Sequence, residues 1–392
     1  MIMVGQKTPS TESVSILRDL VAFDTTSRNS NMPLIEYVRD YLQRYGVTSH
    51  LVKTADGTKA NLWASIGPHD VPGVILSGHT DVVPVDGQNW TTDPFTLTEK
   101  DGKLFGRGTC DMKGFLAVVL AAVPKLVSSN LRIPVRIAFS HDEEIGCIGV
   151  KSLVEWLKSQ PVRDELCIVG EPTDMRPVLG HKGGRAYRVY IEGHEAHSSL
   201  APHAVNAIDA AAELIIFLKQ ISQEMRNGPS DPDYDVPHGT LSVGLIKGGS
   251  AINIVPKSCE FVFEYRHLVG FDAQGLAERV FRFANETILP PMQALAPESS
   301  IRFEEIYSYP SLAIDPGHDA VSRVKAIAAR NDDGKVAYGT EGGYFMNDLG
   351  IPTVVCGPGS ITQAHTPDEF VFLNQLALSE AFIDRLIQSI TP

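Results

Sequence analysis

Four short and nearly uninterrupted apolar runs constrain the fold of this chain most: VILSG (74–78), VRIAFS (135–140), LCIVG (166–170) and TVVCG (353–357). A strand with one wet face alternates apolar and polar residues. A strand covered on both faces does not, and double coverage is the condition of a parallel sheet between helices. Residues 61–66 add a further buried strand. Helical patterns lie around these runs. Residues 10–21 carry an apolar face behind a Ser or Thr cap, and residues 32–45 end at Gly46. Residues 113–127 are apolar all round, with Pro124 expected to kink the helix near its end, and residues 150–157 are amphipathic. Strand and helix in this rhythm predict an α/β layer with a largely parallel mixed sheet.

After Gly180 the pattern changes. Residues 185–192 (RAYRVYIE), 240–246 and 259–266 (CEFVFEYR) alternate like half-solvated strands, as do residues 300–307. Helical stretches at 205–221 and 274–288 separate them, giving β-α-β-β-α-β over roughly 130 residues, enough for a domain. Beyond Pro310 the first rhythm returns, with a helix at 320–329, strands at 336–338 and 353–356, and a last helix at 373–389. The economical organisation is one α/β domain (1–181 and 311–392) interrupted by an inserted α+β domain (182–310).

Composition narrows the function classes. The 34 Lys and Arg against 47 Asp and Glu leave a net charge of −13, which repels phosphate backbones, so no nucleic acid is expected as a partner. No apolar run reaches the length of a membrane span, and the first twenty residues lack the basic-then-apolar pattern of a secretory signal. The five cysteines are scattered, odd in number and without a CxxC pair, so a reducing cytoplasmic setting is expected. Cys167 and Cys356 read as small core residues.

The chemistry lies where the apolar runs end. The first runs into His79 and Asp81, the second into Glu143 and Glu144, and the third into Glu171. The fourth leads through a glycine loop to His365. Asp111 sits in the turn GRGTCDMKG before the apolar helix. Ligands of open α/β sheets bind outside the carboxyl ends of the strands. Any one of these residues alone reads as a solvated loop charge or a satisfied polar group. Together they would be a costly cluster unless bound to metal, paired or neutral. Three carboxylates and two imidazoles suit two divalent cations with one bridging carboxylate. Imidazole favours zinc-like ions over magnesium, and the carboxylates also admit cobalt or manganese. Asp81, two residues beyond His79 on an extended segment, is placed to accept the second ring N–H. The near-motif His194-Glu195-Ala196-His197 spaces its histidines by three rather than four and follows a strand, which argues against a helical zinc-protease site.

The segments SGHTDVVP, GRGTCDMKG, HDEEIG, GEPT, GHEAHSS and GPGSITQAHTPDE, in that order along the whole chain, resemble the M20 family of dinuclear zinc amidohydrolases and metallopeptidases. The resemblance implies a metallopeptidase-like catalytic domain and an inserted dimerisation or lid domain. It implies two Zn2+ per chain, with Co2+ a possible substitute. His79, Asp111 and Glu171 would hold one ion, and Asp111, Glu144 and His365 the other. Glu143 falls on the family's general base and Asp81 on its His-orienting acid. His197 falls on a histidine that reaches the active site of the partner protomer in a homodimer. Asn253 (SAINIVP) and Arg266 (FEYR) fall on substrate-contacting positions, and the loop holding Thr340, Glu341 and Gly342 is expected to shape the substrate pocket. The implied reaction is hydrolysis of the acyl amide of an N-acyl amino acid, N2-acetyl-L-ornithine first, as in arginine biosynthesis. N-succinyl-diaminopimelate and N-acetylcitrulline are alternative substrates. A metal-binding dimer without catalysis is the alternative outside the enzymes, and retention of Glu143 with all five ligand positions argues against it.

Overall fold

The computed structural model describes residues 8–392. Ser10 caps the first helix, Thr11–Ala22, by accepting from the Ser13 N–H, and the helix buries Ile16, Leu17, Leu20 and Val21. After the helix Met32–Arg44 come eight strands: β1 (Ser49–Lys53), β2 (Ala60–Ile66), β3 (Val74–His79), β4 (Thr98–Lys100), β5 (Lys103–Phe105), β6 (Val135–Ser140), β7 (Leu166–Pro172) and β8 (Val178–His181). Strands β3, β6 and β7 are buried at every position, as their lack of alternation predicts. The apolar stretch after Asp111 is not one kinked helix. It forms Lys113–Ala121 and then Val123–Ser128, with Pro124 in the first turn of the second, where a missing N–H costs nothing.

The chain then enters a unit spanning Lys182–Ser311. Its strands are β9 (Gly183–Glu192), β10 (Thr240–Gly248), β11 (Ser258–His267) and β12 (Ser300–Tyr309), paired antiparallel in the order β10-β11-β9-β12. The helices Ala207–Arg226 and Ala273–Phe283 contribute to its separate core, in which Leu214, Leu218, Phe261, Phe263 and Val280 are fully enclosed. The second helical stretch runs past its predicted end. A wider turn at Ala284–Ile288 leads into Leu289–Leu295.

Four strands follow: β13 (Leu312–Ala313), β14 (Gly334–Val336), β15 (Thr353–Gly357) and β16 (Phe370–Phe372). The main sheet of the other unit, residues 8–181 and 312–392, runs β1-β2-β6-β3-β7-β15-β8-β13, with β14 beside β8. Pairs β6/β3, β3/β7 and β7/β15 are parallel. From β3 the chain moves to β6 on one side and then crosses to β7 on the other, so β3 is a switch point. Open α/β sheets bind their ligands outside the parallel strand ends at such a switch point. Two features lack an apolar signature and are not legible in the sequence. One is the small sheet β16-β5-β4; the other is the helix Gly342–Leu349, which opens on two glycines. The buried helix Lys113–Ala121 crosses β7 so closely that a Cβ at Gly170 would lie 2.1 Å from the Phe115 ring.

Candidate metal centre

His79 closes β3, Glu171 lies near the end of β7, and Glu143 and Glu144 follow β6. Three parallel strands therefore deliver their polar ends to one edge. Asp111 arrives on the turn before the buried helix, and its following peptide bond is cis. His365 comes from the loop after β15, in the left-handed region at φ 60° and half exposed. The carboxylate of Asp111 lies between the two imidazoles. Its Oδ1 is 3.0 Å from His79 Nε2, and its Oδ2 is 3.2 Å from His365 Nε2. Glu171 Oε1 approaches His79 Nε2 at 3.6 Å, and Glu144 Oε2 approaches His365 Nε2 at 3.0 Å. Ligand atoms of His79, Asp111 and Glu144 lie within 4.8 Å of one another, as do those of His79, Glu143 and Glu171.

The electrostatics of the cluster would admit cations. Burial would raise the pKa of Asp111, yet hydrogen bonds from His365 and His79 hold it well below the usual carboxylate range. Burial pushes Glu143 up to about 8, with the Glu144 and Asp111 charges adding to it. Glu144 is raised to about 7 by burial and by Asp111, and Glu171 is raised by the same two causes. Burial opposes a charged His79, but Glu171 and Asp111 outweigh it and lift the imidazole well above its ordinary value. Hydrogen bonds to Asp111 and Glu144 raise His365 to about 10. Protons thus hold together a group of carboxylates that a divalent ion would hold with greater charge. The donor set of imidazole nitrogens and carboxylate oxygens fits such an ion, and Glu144 Oε1 is buried without a hydrogen-bond partner.

Two sequence expectations are corrected. His79 Nδ1 pairs with the main-chain carbonyl of Asp81 at 2.9 Å, while the Asp81 carboxylate stands 3.7 Å away. That carboxylate instead accepts from the Glu143 and Glu144 N–H groups and from Ser27 Oγ, tying the HDEE turn to the β3 end. The loop expected to shape the substrate pocket turns inward. Thr340 and Glu341 are completely buried, and Glu341 accepts from Ser77 Oγ and Ser140 Oγ, each at 2.6 Å. Gly342 begins a helix and is also buried. Sequence reasoning did not reach Glu369, whose buried carboxylate binds the turn carrying Asp111. Its place four residues beyond His365 was the available signal.

Within the inserted unit, His197 and Asn253 lie together: the Ser198 N–H donates to the Asn253 carbonyl, and His197 bridges to Ile254. His197 Nδ1 accepts the Ser199 N–H at 3.3 Å, which points its Nε2 away from that turn. Arg266 sits near the other end of β11, opposite Gly184, where its guanidinium donates to Tyr309 Oη at 3.1 Å. Arg266 and the His197–Asn253 pair thus lie toward opposite ends of β11.

Similarity to known proteins follows the same lines. The chain is 33% identical to the acetylornithine deacetylase of Photorhabdus laumondii over 382 residues, 95% of this chain and 96% of that protein. It is 35% identical to the acetylornithine deacetylase of Pasteurella multocida, over 91% of this chain and 88% of that one. In fold it is similar to an M20 family metallo-carboxypeptidase from Sulfolobus solfataricus, with TM-score 0.77 at 18% identity over 97% and 99% of the two chains. It is also similar to a dinuclear metal binding peptidase of that family from Bacillus subtilis, with TM-score 0.64 at 16% identity over 97% and 98%. The profile of peptidase family M20/M25/M40 matches residues 75–389, and the chain belongs to that family of hydrolytic enzymes.

Proposed function

We propose that this protein hydrolyses the acyl amide of an N-acyl amino acid, N2-acetyl-L-ornithine before others, giving L-ornithine and acetate in arginine biosynthesis. The observation that carries the hydrolytic reading is the Asp111 carboxylate shared between two imidazoles, each with a further glutamate beside it. The substrate rests on the acetylornithine deacetylases at 33–35% identity, which match this chain over most of both lengths. His79, Asp111 and Glu171 would hold one ion and Asp111, Glu144 and His365 the other, zinc being the proposed metal and cobalt its substitute.

Two such ions, when bound, supply Lewis acidity and bring the ionisation of water near neutral pH. Glu143 takes the proton of the attacking water. Its main chain is anchored on Asp81 and its Oε1 accepts the Cys147 thiol at 3.1 Å, which aims the other oxygen freely. Glu143 then returns that proton to the leaving amine. His197, donating from Nε2, stabilises the carbonyl oxygen as negative charge develops on it. Asn253, beside His197, would bind a polar end of the substrate in the partner's site, and Arg266 a polar end of the substrate in its own chain's site.

The working protein in this reading is a cytoplasmic homodimer joined through the inserted unit, with His197 serving the partner's site. The two sheet edges of that unit differ. Edge strand β12 carries Arg302, Glu304 and Glu305, charges that discourage pairing, while edge strand β10 exposes Leu245 at 66% and Ile246 at 58%. All five cysteines are buried and free, which suits a reducing compartment.

A hydrolysis screen of zinc- and cobalt-loaded protein tests the substrate. It should include N2-acetyl-L-ornithine, N-acetylcitrulline, N-succinyl-diaminopimelate and a set of dipeptides. The reading expects kcat/KM for acetylornithine to exceed the others by about tenfold or more, a difference of about 1.4 kcal/mol in the transition state. A higher value for a dipeptide or the succinyl substrate would replace it.

A further inference from the structure

The two imidazoles at the centre are held in different ways. His79 ends a strand buried at every position, between two parallel neighbours. His365 lies on a half-exposed loop in the left-handed region, with no strand to fix it. Something else must set its distance from Asp111. The loop's main chain is tied by side chains from two other loops. Gln88 Nε2 donates to the carbonyl of His365 itself at 3.0 Å. Gln88 Oε1 receives the Arg107 guanidinium and, at 3.0 Å, Trp90 Nε1. Arg107 Nη1 also lies 2.7 Å from the Glu369 carboxylate, forming an ion pair with both partners fully buried.

Glu369 completes the circuit. Besides Arg107 it accepts the main-chain N–H groups of Gly108, Cys110 and Asp111 at 3.1, 2.9 and 3.0 Å. One buried carboxylate therefore grips the turn that presents Asp111, from a position four residues beyond His365.

We propose that Gln88, Arg107 and Glu369 form a clamp that sets the separation of His365 from Asp111, and that Gln88 thereby governs one of the two metal subsites and not the other. These are positioning residues, since none of the three contributes an atom to the proposed ligand set. The inference rests on the dinuclear reading above. Its consequences divide by residue. Gln88 hydrogen-bonds the His365 main chain and, among the described residues, forms no hydrogen bond with His79 or Glu171, so its loss loosens the His365 subsite. Glu369 holds Asp111, which both ions share, so its loss loosens both.

The test is calorimetric titration of chelator-stripped full-length protein with cobalt(II), together with the visible spectrum of each bound ion and the melting temperature of the metal-free form. Wild type binds two ions. Gln88→Ala weakens one of the two dissociation constants by about 10- to 100-fold and leaves the other within about threefold, the size usual for a lost outer partner. The spectrum of the weakened ion changes, while the metal-free melting temperature stays within about 3 °C, because Gln88 is only half buried. Glu369→Gln places an amide NH2 against N–H donors and weakens both ions. If that variant does not fold, Gln88→Ala decides alone. Wild type binding fewer than two ions would overturn the dinuclear reading and the clamp with it. Two ions in wild type, with Gln88→Ala binding both unchanged or both equally weakened, would overturn the clamp and leave the dinuclear reading standing.

Discussion

Glu143 stands among the carboxylates of the candidate metal centre with its main chain fastened to Asp81 and one oxygen to Cys147. If it is the base, Glu143→Gln keeps the shape and removes the proton acceptor. The variant should lose about 10²- to 10⁴-fold in kcat while binding metal as wild type does. More than about a tenth of wild-type kcat would remove Glu143 from the mechanism. The ionisation of the same cluster gives a second prediction. In the metal-free protein Glu144 titrates near 7 and His365 near 10, and Glu171 and His79 are also raised. Ligands bind metal only without their protons, so at pH 7 metal loading releases protons. Metal affinity therefore rises as pH climbs from about 7 towards 10. Calorimetry in two buffers of different ionisation enthalpy should report about one or more protons released per chain, and no release would show the ligand set to be wrong.

At the scale of elements, the centre depends on how closely the buried helix Lys113–Ala121 approaches β7. Gly170, beside Glu171, has the Phe115 ring where a Cβ would stand. Gly170→Ala should cost about 1–3 kcal/mol by overpacking and displace Glu171. The checks are a lowered Tm of the metal-free protein and weakened binding of at least one ion; an unchanged Tm would mean that the helix yields without strain. Strand ends and turns also explain why some residues were legible and others were not. His79 and Glu171 are visible because each ends an apolar run. Glu341 is not readable as buried, because its partners Ser77 and Ser140 lie more than 200 residues earlier. Gln88 carries no motif at all; it meets His365 through a hydrogen bond to a carbonyl 277 residues away.

For the molecule as a whole, the apolar edge of β10 predicts association. Leu245→Glu with Ile246→Lys should convert a proposed dimer to monomer in sedimentation, because paired charges on an edge strand resist pairing. If His197 serves the partner's site, the monomer should also lose activity while retaining both metals. Mixing His197→Ala with Glu143→Gln chains under subunit exchange should restore activity through the one intact site of the heterodimer. Exchange without recovery would place His197 in its own chain's site or outside the chemistry.

What the sequence determined by itself is local or periodic. Absent alternation marks β3, β6 and β7 as buried. Regular alternation marks β9 and β11 as half solvated, and the polar ends of the apolar runs mark the crevice. These follow from backbone geometry, in which side-chain direction repeats every two residues in a strand, so a pattern of burial is written directly into order. The tertiary structure alone decided the rest. It placed Asp111 between two histidines that are 286 positions apart in the chain. It gave the orienting bond of His79 to the Asp81 carbonyl rather than its carboxylate, buried Glu341, and joined Gln88 to His365. A hydrogen bond reaches only about 3 Å and depends on direction, so such partners are chosen by the packing of distant segments.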